Sequence, residues 1–579
     1  MAKCKTYSRR KIFIAFAALV LAGIVLITRL VYLMIIKSEY YSELADDVHQ
    51  RERSIKAPRG KIYDVNGEVL ATNKTVCTVS VINSQITEPE KVIDMLVLEL
   101  GIDKETARNK VEKVSSIEKI KSNVDKETGD IIRAYNLDGV KVDEDYKRYY
   151  PYSTLASKVL GFAGADNQGI IGLEVQYDSL LQGIDGKILT TTDSQGIEVD
   201  SALEERIESV AGNDLYISLD VNIQKYAEQI AYKTLEEKQA NYVAIIVMNP
   251  QSGEIMAMVN APEFDLNDPY TLNYESDEDV SDEEYQDLLN QMWRNQCIND
   301  TYEPGSTFKI ITASAALEEE IAGVDSTFNC QGYIIVDGRR IKCHKTTGHG
   351  SETFLEATMN SCNPVFIEVG LRLGVTGFYT YLNKFQIIKK TGIDLPGEAA
   401  TIIHEEENTG QIELATMSFG QSFQLTPVRF LTSVCAAING GKMVTPHFGI
   451  RAINESGETV AEFTYETSEN IISAETSETM QYILEKVVSE GTGVKGYIEG
   501  YYIGGKTATS QKLPRSANKY IASYIAFAPA DDPEVIAIAI VDEPQGTYYG
   551  GSVAAPMIKE LYENILPYLG IEMTDTGSD

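Results

Sequence analysis

Positive charge is scarce in this chain. Lys and Arg total 51 against 85 Asp and Glu, a formal net charge of −34 over 579 residues. Contact with phosphate backbones needs clustered cations, so the balance argues against nucleic acid as a partner. The basic residues gather once, at Lys3, Lys5, Arg9, Arg10 and Lys11. Tryptophan occurs once, at Trp293, which reads as packing and not as a ligand platform. No internal repeat is found, which excludes a solenoid or array, and His404 and His447 fall in no readable pattern. The length exceeds one ordinary hydrophobic core and implies two or three domains.

Long apolar runs are equally scarce, with one exception. Ile12 to Thr28 carries no charge, and after Arg29 the apolar character resumes from Leu30 to Ile36. As a helix the uncharged part spans about 26 Å at 1.5 Å per residue, and its continuation passes the roughly 30 Å hydrocarbon core of a bilayer. A cleaved signal peptide has a shorter apolar region and a small-residue cleavage site, and neither fits here. The basic cluster ahead of the run puts the N-terminus in the cytoplasm. Everything after Lys37 is then an external, acidic body on a single-pass anchor.

Cysteine is sparse as well. Of seven, Cys4 precedes the anchor, and Cys77, Cys297, Cys330, Cys343, Cys362 and Cys435 follow it. An exported chain can form disulfides. Cys330 and Cys343 flank Gly332 to Gly338, a small hairpin pattern, so a bridge between them stands as one expectation and two free thiols as the other. A zinc site from Cys330, Cys343, His344 and His349 is possible on residue types alone. Its spacing lacks the short C-x2–4-C step of ordinary structural sites, so no metal is assigned.

Turning to what is present, residues 38–56 form a polar stretch with helical charge spacing. Arg59 to Ala71 alternates strand-like residues around Asn66-Gly67, a hairpin signature. Residues 88–130 read as amphipathic, charged helices with solvated faces. From Leu215 the texture changes: a strand leads into a helix over Val221 to Lys238, and Val243 to Met248 and Ile255 to Val259 are apolar strands joined by Asn249-Pro-Gln-Ser-Gly253. Tyr520 to Ala528 and Val535 to Val541 repeat that hairpin near the end of the chain. Strands at both ends with helices between imply an α+β domain whose antiparallel sheet is closed by both of its termini.

Chemistry concentrates in Glu303-Pro-Gly-Ser-Thr-Phe-Lys309. An apolar, Ala-rich run follows, so Ser306 stands at the N-terminus of a buried helix, with Lys309 at i+3 on the same face. A serine one turn from an amine is the arrangement of the Ser-Lys acyl-transfer enzymes. Alone the pattern says little, because Ser116 to Lys119 and Ser516 to Lys519 also fit S-x-x-K, without a buried helix behind them. Two later motifs give context: Ser361-Cys-Asn363 between helical stretches, and Lys506-Thr507-Ala508-Thr509 on a glycine-led strand. Singly, Ser361 and Asn363 read as helix-end caps, Cys362 as packing and Lys506 as a solvated lysine.

S-x-x-K, S-x-N and K-T-G in that order form the motif set of penicillin-binding proteins and serine β-lactamases. Over essentially its whole length the chain resembles class B penicillin-binding proteins, the monofunctional peptidoglycan D,D-transpeptidases. The resemblance extends to Arg59-Gly, Asp64, Gly67 and Leu70-Ala71, to Gly172-x-Glu174-x-x-Tyr177, to Asn249-Pro-x-x-Gly253, and to Phe527-Ala-Pro529. The Cys330, Cys343 and His349-Gly stretch is most similar to the sporulation and cell-division branch. No glycosyltransferase domain of the class A kind lies between anchor and catalytic domain.

The resemblance implies a cytoplasmic tail over 1–11, an anchor over 12–36 and a pedestal or dimerisation module over 37–205. A transpeptidase domain over 206–568 and a disordered tail over 569–579 complete the organisation. It implies Ser306 as nucleophile, Lys309 as its base with a pKa lowered by burial and by the cation of Lys506, and Ser361 as proton relay. Asn363 would hold the donor amide, while Lys506, Thr507 and Thr509 would receive the substrate's carboxylate. The backbone N–H groups of Ser306 and Thr509 would form the oxyanion hole. Substrates would be stem peptides ending in D-Ala-D-Ala and an amine acceptor; β-lactams would acylate the same serine. No cofactor is implied, and a SEDS-type polytopic glycosyltransferase is the implied partner.

Two departures stand out: Ala508 replaces the glycine of K-T-G, and Val65 stands where arginine is usual. A Cβ at 508 is expected to intrude where substrate backbone meets a sheet edge, altering drug affinity more than catalysis. The competing readings are a carboxypeptidase or β-lactamase using water as acceptor, and an inactive scaffold or sensor that keeps the fold.

Overall fold

The computed structural model describes residues 5–38, 50–115, 117–191, 205–274 and 280–573. The expectations for residues 1–4, for Ser116 and for 574–579 lie outside the described residues. The chain divides into two compact units, one of Met1–Ala57, Thr75–Lys147 and Ile184–Val210, the other of Pro58–Lys74, Arg148–Gly183 and Ala211–Asp579.

In the first unit a helix over Lys5–Val31 continues as a π-helical turn over Tyr32–Ile36. The span Arg9–Ile36 is long and apolar enough to cross a membrane, and its side chains are uncovered by protein. Gln50–Ile55 is a strand, paired antiparallel with Gly186–Thr191, so the end of the 38–56 stretch is not helical. Residues 39–49 lie outside the described residues. The 88–130 region also differs from expectation. Helices Pro89–Leu100 and Lys104–Val111 are followed by a strand, Glu118–Asp125, in which Ile120 and Val124 alternate inward. Nor are the helix faces merely solvated: Val92, Ile93 and Leu96 pack with Val79, Val81 and Val111 in one core.

The second unit is built on a five-stranded antiparallel sheet. Its strands are β1 (Tyr242–Met248), β2 (Ile255–Ala261), β3 (Gly504–Gln511), β4 (Tyr520–Ala528) and β5 (Val535–Asp542), in the spatial order β2-β1-β5-β4-β3. Alternation along β1 sends Val243, Ile245 and Val247 to one core and Ala244, Ile246 and Met248 to the other, so both faces are covered. The first core is closed by helices α1 (Val221–Lys238) and α5 (Gly550–Tyr568). The second contains α2 (Lys309–Glu318), α3 (Phe354–Met359) and α4 (Asn363–Lys384). This is the α+β arrangement expected, with both ends of the domain in one sheet. The tail expected to be disordered is partly packed, since Ile571 is buried against the α1 and α5 side.

Two segments from the N-terminal half of the sequence belong to this larger unit. Ile62–Tyr63 pairs parallel with Leu215 and Tyr216, and Asp64 accepts N–H bonds from Asn66, Glu68 and Val221, closing the Asn66-Gly67 hairpin. Val65 is half-exposed, so a valine at this turn disturbs no buried contact. Glu174, fully buried, takes Arg59 Nε on one oxygen at 2.5 Å and Arg148 Nε on the other at 2.7 Å. Tyr177 donates to Asp394 Oδ2 at 2.5 Å, and Asp394 also accepts the N–H groups of Phe448 and Gly449. All of the motif residues quoted for the N-terminal module except the exposed Gly67 are thus buried. Trp293 packs edge-on against Phe162 and Tyr270 and donates to Pro269 O, as its packing role required.

Candidate active site

Gly305 to Phe308 form a 3-10 turn that runs directly into α2. Gly305 is required twice over. Its φ is +58°, and a Cβ there would lie 2.4 Å from Ser510 Oγ. Gly420 opposes it at φ +85°, where a Cβ would meet Gly305 O at 2.1 Å. Backbone lies on backbone, and Gly305 N–H donates to Gly420 O. This close approach sets Ser306 half-exposed at the head of a buried helix.

Lys309 and Lys506 are both fully buried and converge on Ser361. Lys309 Nζ donates to Ser361 O at 2.7 Å and Asn363 Oδ1 at 2.7 Å, with Ser361 Oγ at 3.3 Å. Lys506 Nζ reaches the same Oγ at 3.0 Å. Ser361 adopts φ +54°, a left-handed conformation uncommon for a residue with a Cβ, held here by the junction between α3 and α4. The Ser306 hydroxyl has no hydrogen-bond partner among the described residues, which fits a nucleophile whose contacts tighten when substrate arrives.

Burial lowers the Lys309 ammonium to about 8. Burial, then repulsion from Lys309, holds Lys506 well below the ordinary lysine value. Of the two expected causes, burial acts on Lys309 as expected, whereas the like-charge repulsion weighs on Lys506.

Along β3, side chains alternate. Lys506, Ala508 and Ser510 share the face turned to Gly305, and the Ala508 Cβ lies 3.5 Å from where a Gly305 Cβ would stand. Ala508 thus packs under the serine turn and is buried, where the sequence suggested an intrusion into the open edge. Thr507 and Thr509 take the opposite face. Thr509 Oγ1 accepts the N–H of Gly550 at 3.0 Å, and a Cβ at Gly551 would stand 3.5 Å from the Thr507 methyl.

Sequence reasoning missed two supports of this site. Glu303 is buried, binds Arg515 Nη2 at 2.6 and 2.8 Å and accepts the Ser422 N–H at 3.0 Å. The only cue was an acidic residue preceding Pro304-Gly305, and nothing in the chain points from 303 to 515. The other is the Met417–Phe423 bend carrying Gly420. Of the rejected S-x-x-K matches, Ser516 sits in a short 3-10 loop and Lys519 pairs with Glu543, as expected of a polar loop. Cys330 and Cys343 are free and buried, not bonded to each other; with them stand His349 and Cys362, whereas His344 is left out of the group.

Comparison with known proteins agrees with this geometry. The penicillin binding protein transpeptidase domain model matches residues 243–563, and the penicillin-binding protein dimerisation domain model matches 54–217. Stage V sporulation protein D of Bacillus subtilis is 38% identical, with 98% of this chain and 87% of that protein covered. A probable peptidoglycan D,D-transpeptidase PenA of Neisseria meningitidis is 29% identical over 99% of this chain and 95% of that protein. The fold is shared with a peptidoglycan synthetase from Bifidobacterium adolescentis at a TM-score of 0.73 and 21% identity, covering 92% of this chain and 98% of that one. Penicillin binding protein 2X from Streptococcus thermophilus gives 0.73 and 22%, covering 89% and 80%. With both domain models matched in order and a relative aligned from end to end, the chain belongs to the penicillin-binding protein transpeptidase family.

Proposed function

We propose that this protein is a peptidoglycan D,D-transpeptidase working through a Ser306 acyl-enzyme, and a target of β-lactams. The observation that carries this reading is the convergence of Lys309 and Lys506 on Ser361 Oγ, with Lys309 three residues on from Ser306. Neutral Lys309 takes the Ser306 proton as Oγ attacks the carbonyl carbon of the penultimate D-Ala. The resulting oxyanion faces the backbone N–H groups of Ser306 and Thr509, each such donor worth about 2.7–4 kcal/mol of barrier. As the C–N bond breaks, the proton passes by way of Ser361 Oγ to the leaving amine, and D-Ala departs. An amine from a neighbouring stem then attacks the ester, restoring Ser306 and forming the cross-link. A substrate carboxylate against Lys506 favours its ammonium form and opposes the lowering that burial imposes. Asn363 holds Lys309 through Oδ1 and donates one amide N–H to Lys342 O at 3.4 Å, leaving the other N–H for the donor peptide.

The apolar N-terminal helix serves as a single-pass anchor, its basic leader in the cytoplasm and the acidic body outside. By family resemblance, a SEDS-type glycosyltransferase supplies the strands that are cross-linked. Fluorescent penicillin should label the wild-type chain covalently, and Ser306→Ala should abolish the label while keeping the same melting curve. An unlabelled, folded wild type would leave only the scaffold reading; rapid loss of label with penicillin turnover would indicate a β-lactamase.

A further inference from the structure

Behind the Ser361–Asn363 segment four soft donors converge. The sulfurs of Cys330, Cys343 and Cys362 and a ring nitrogen of His349 lie within 4.8 Å of one another, with all three cysteines at 2% exposure or less. They arrive from three places. Cys330 ends the strand Thr327–Cys330, Cys343 and His349 follow the hairpin of Tyr333–Val336 and Arg339–Lys342, and Cys362 separates Ser361 from Asn363. Sequence spacing hid the group because its fourth member lies inside the S-x-N motif.

The backbone is shaped for this convergence. Gly332 and Gly348 have φ of +86° and +83°; a Cβ on the first would meet Thr346 O at 2.2 Å, and on the second Cys330 O at 2.3 Å. The two donor-bearing loops therefore touch main chain to main chain. Gly332 N–H donates to Cys330 Sγ at 3.4 Å, the kind of bond that supports a thiolate. Glu352 is 4% exposed, stands 3.7 Å from His349 Nδ1, and keeps its Oε1 without a hydrogen bond among the described residues. His349 Nδ1 thus faces both this carboxylate oxygen and Cys343 Sγ, the latter at 3.8 Å.

A disulfide would consume two of these donors and leave Cys362 and His349 unexplained. Three thiolates and an imidazole are a donor set for zinc, and not for magnesium or calcium. Tetrahedral zinc holds such donors about 3.4–3.8 Å apart, so the cluster need contract by only about 1 Å. We propose that Cys330, Cys343, His349 and Cys362 bind one zinc-class divalent ion, which fixes Ser361 and Asn363 against Lys309 and Lys506. Binding replaces three thiol protons, which leave to solvent, by one dication. His344 and Lys345 beside it are exposed and give the ion a way in. The binding half stands on the donor geometry; the positioning half rests on the transpeptidase reading.

The test uses the full-length chain in detergent, purified with reductant and without chelator. Elemental analysis should find about one zinc per chain. Exchange with Co²⁺ should give thiolate-to-metal charge transfer and intense tetrahedral d–d bands. Cys330→Ser and His349→Ala should lose most of the metal, whereas Cys77→Ala, in the other compact unit, should keep it. Stripping zinc should lower the melting temperature and slow penicillin acylation about tenfold, with recovery when Zn²⁺ is returned. A folded, reduced wild type that takes up neither zinc nor Co²⁺ overturns the site, and so does a Cys330–Cys343 disulfide that excludes the metal. Zinc bound but without effect on acylation overturns the positioning role alone. Metal content is read independently of penicillin labelling, so failure of the transpeptidase reading remains distinguishable.

Discussion

Lys309 makes no ion pair among the described residues; its charge is met by a carbonyl, a hydroxyl and an amide oxygen and by the face of the Phe366 ring at 5.2 Å. An ammonium so placed loses stability relative to its neutral form, and its value falls to about 8. The base is the neutral amine, so acylation should accelerate as pH rises, close to tenfold per unit well below 8, and level off above it. Second-order rate constants for penicillin acylation between pH 6 and 9.5 would check this; a flat profile would remove Lys309 as the base. The position beside it carries a different expectation. Because the Ala508 Cβ packs toward Gly305 and not into the open edge, Ala508→Gly should change acylation by less than about threefold. It should cost about 0.5–1 kcal/mol of stability, the usual effect of glycine within a strand, seen as a small drop in melting temperature. A large gain in acylation would show that the methyl obstructs ligand after all. The three motifs were legible as candidates because each couples a reactive side chain to a local backbone need. The orientation of Ala508 was not, since the face of a strand is decided by its partner.

At the level of elements, the serine turn is held from outside its own helix. Glu303 joins the start of that turn to the 3-10 loop of Arg515–Ala517 and to Ser422 on the bend after the helix Gln411–Met417. Arg515→Ala leaves a buried carboxylate with one N–H donor. It should destabilise by about 1–3 kcal/mol and slow acylation without abolishing it. Glu303→Gln should do less, and the double variant should fall short of the sum, since both changes break one interaction. Strict additivity in melting and acylation would mean the pair is incidental. The helices and strands themselves were readable: α1, β4 and β5 fall within a residue or so of the ends expected from periodicity. The strand Glu118–Asp125 was missed because its lysines and acidic end residues mask Ile120 and Val124. Contacts such as Glu303 with Arg515 had no cue, because long-range pairing leaves no period in the sequence.

Across the whole molecule, the boundary suggested near residue 205 and the compact units follow different logic. A change in texture at Leu215 marks where the sheet-building sequence begins. Yet Ile62, Leu70, Leu160, Phe162 and Leu173 share one continuous core with Leu215, Phe264 and Phe308, and Phe308 is in the serine turn itself. Arg59, Arg148 and Glu174 are buried in the same unit, both arginines donating to Glu174 within the earlier half of the sequence. Removing that half strips Tyr177 from Asp394 and uncovers several large apolar side chains at once, with hydrophobic burial worth about 1.5–3 kcal/mol for each. Against a typical net stability of about 5–15 kcal/mol, the loss is decisive. A chain starting at 206 should therefore be insoluble or melt without cooperativity and take no penicillin label, although it carries Ser306, Lys309, Ser361, Asn363 and Lys506. A chain starting at 50, lacking only the N-terminal tail, anchor and the stretch after it, should fold and label like the full-length protein. Calorimetry and fluorescent-penicillin gels on the two would decide it: normal labelling of the shorter chain would show that the earlier segments dock onto a domain already able to stand alone.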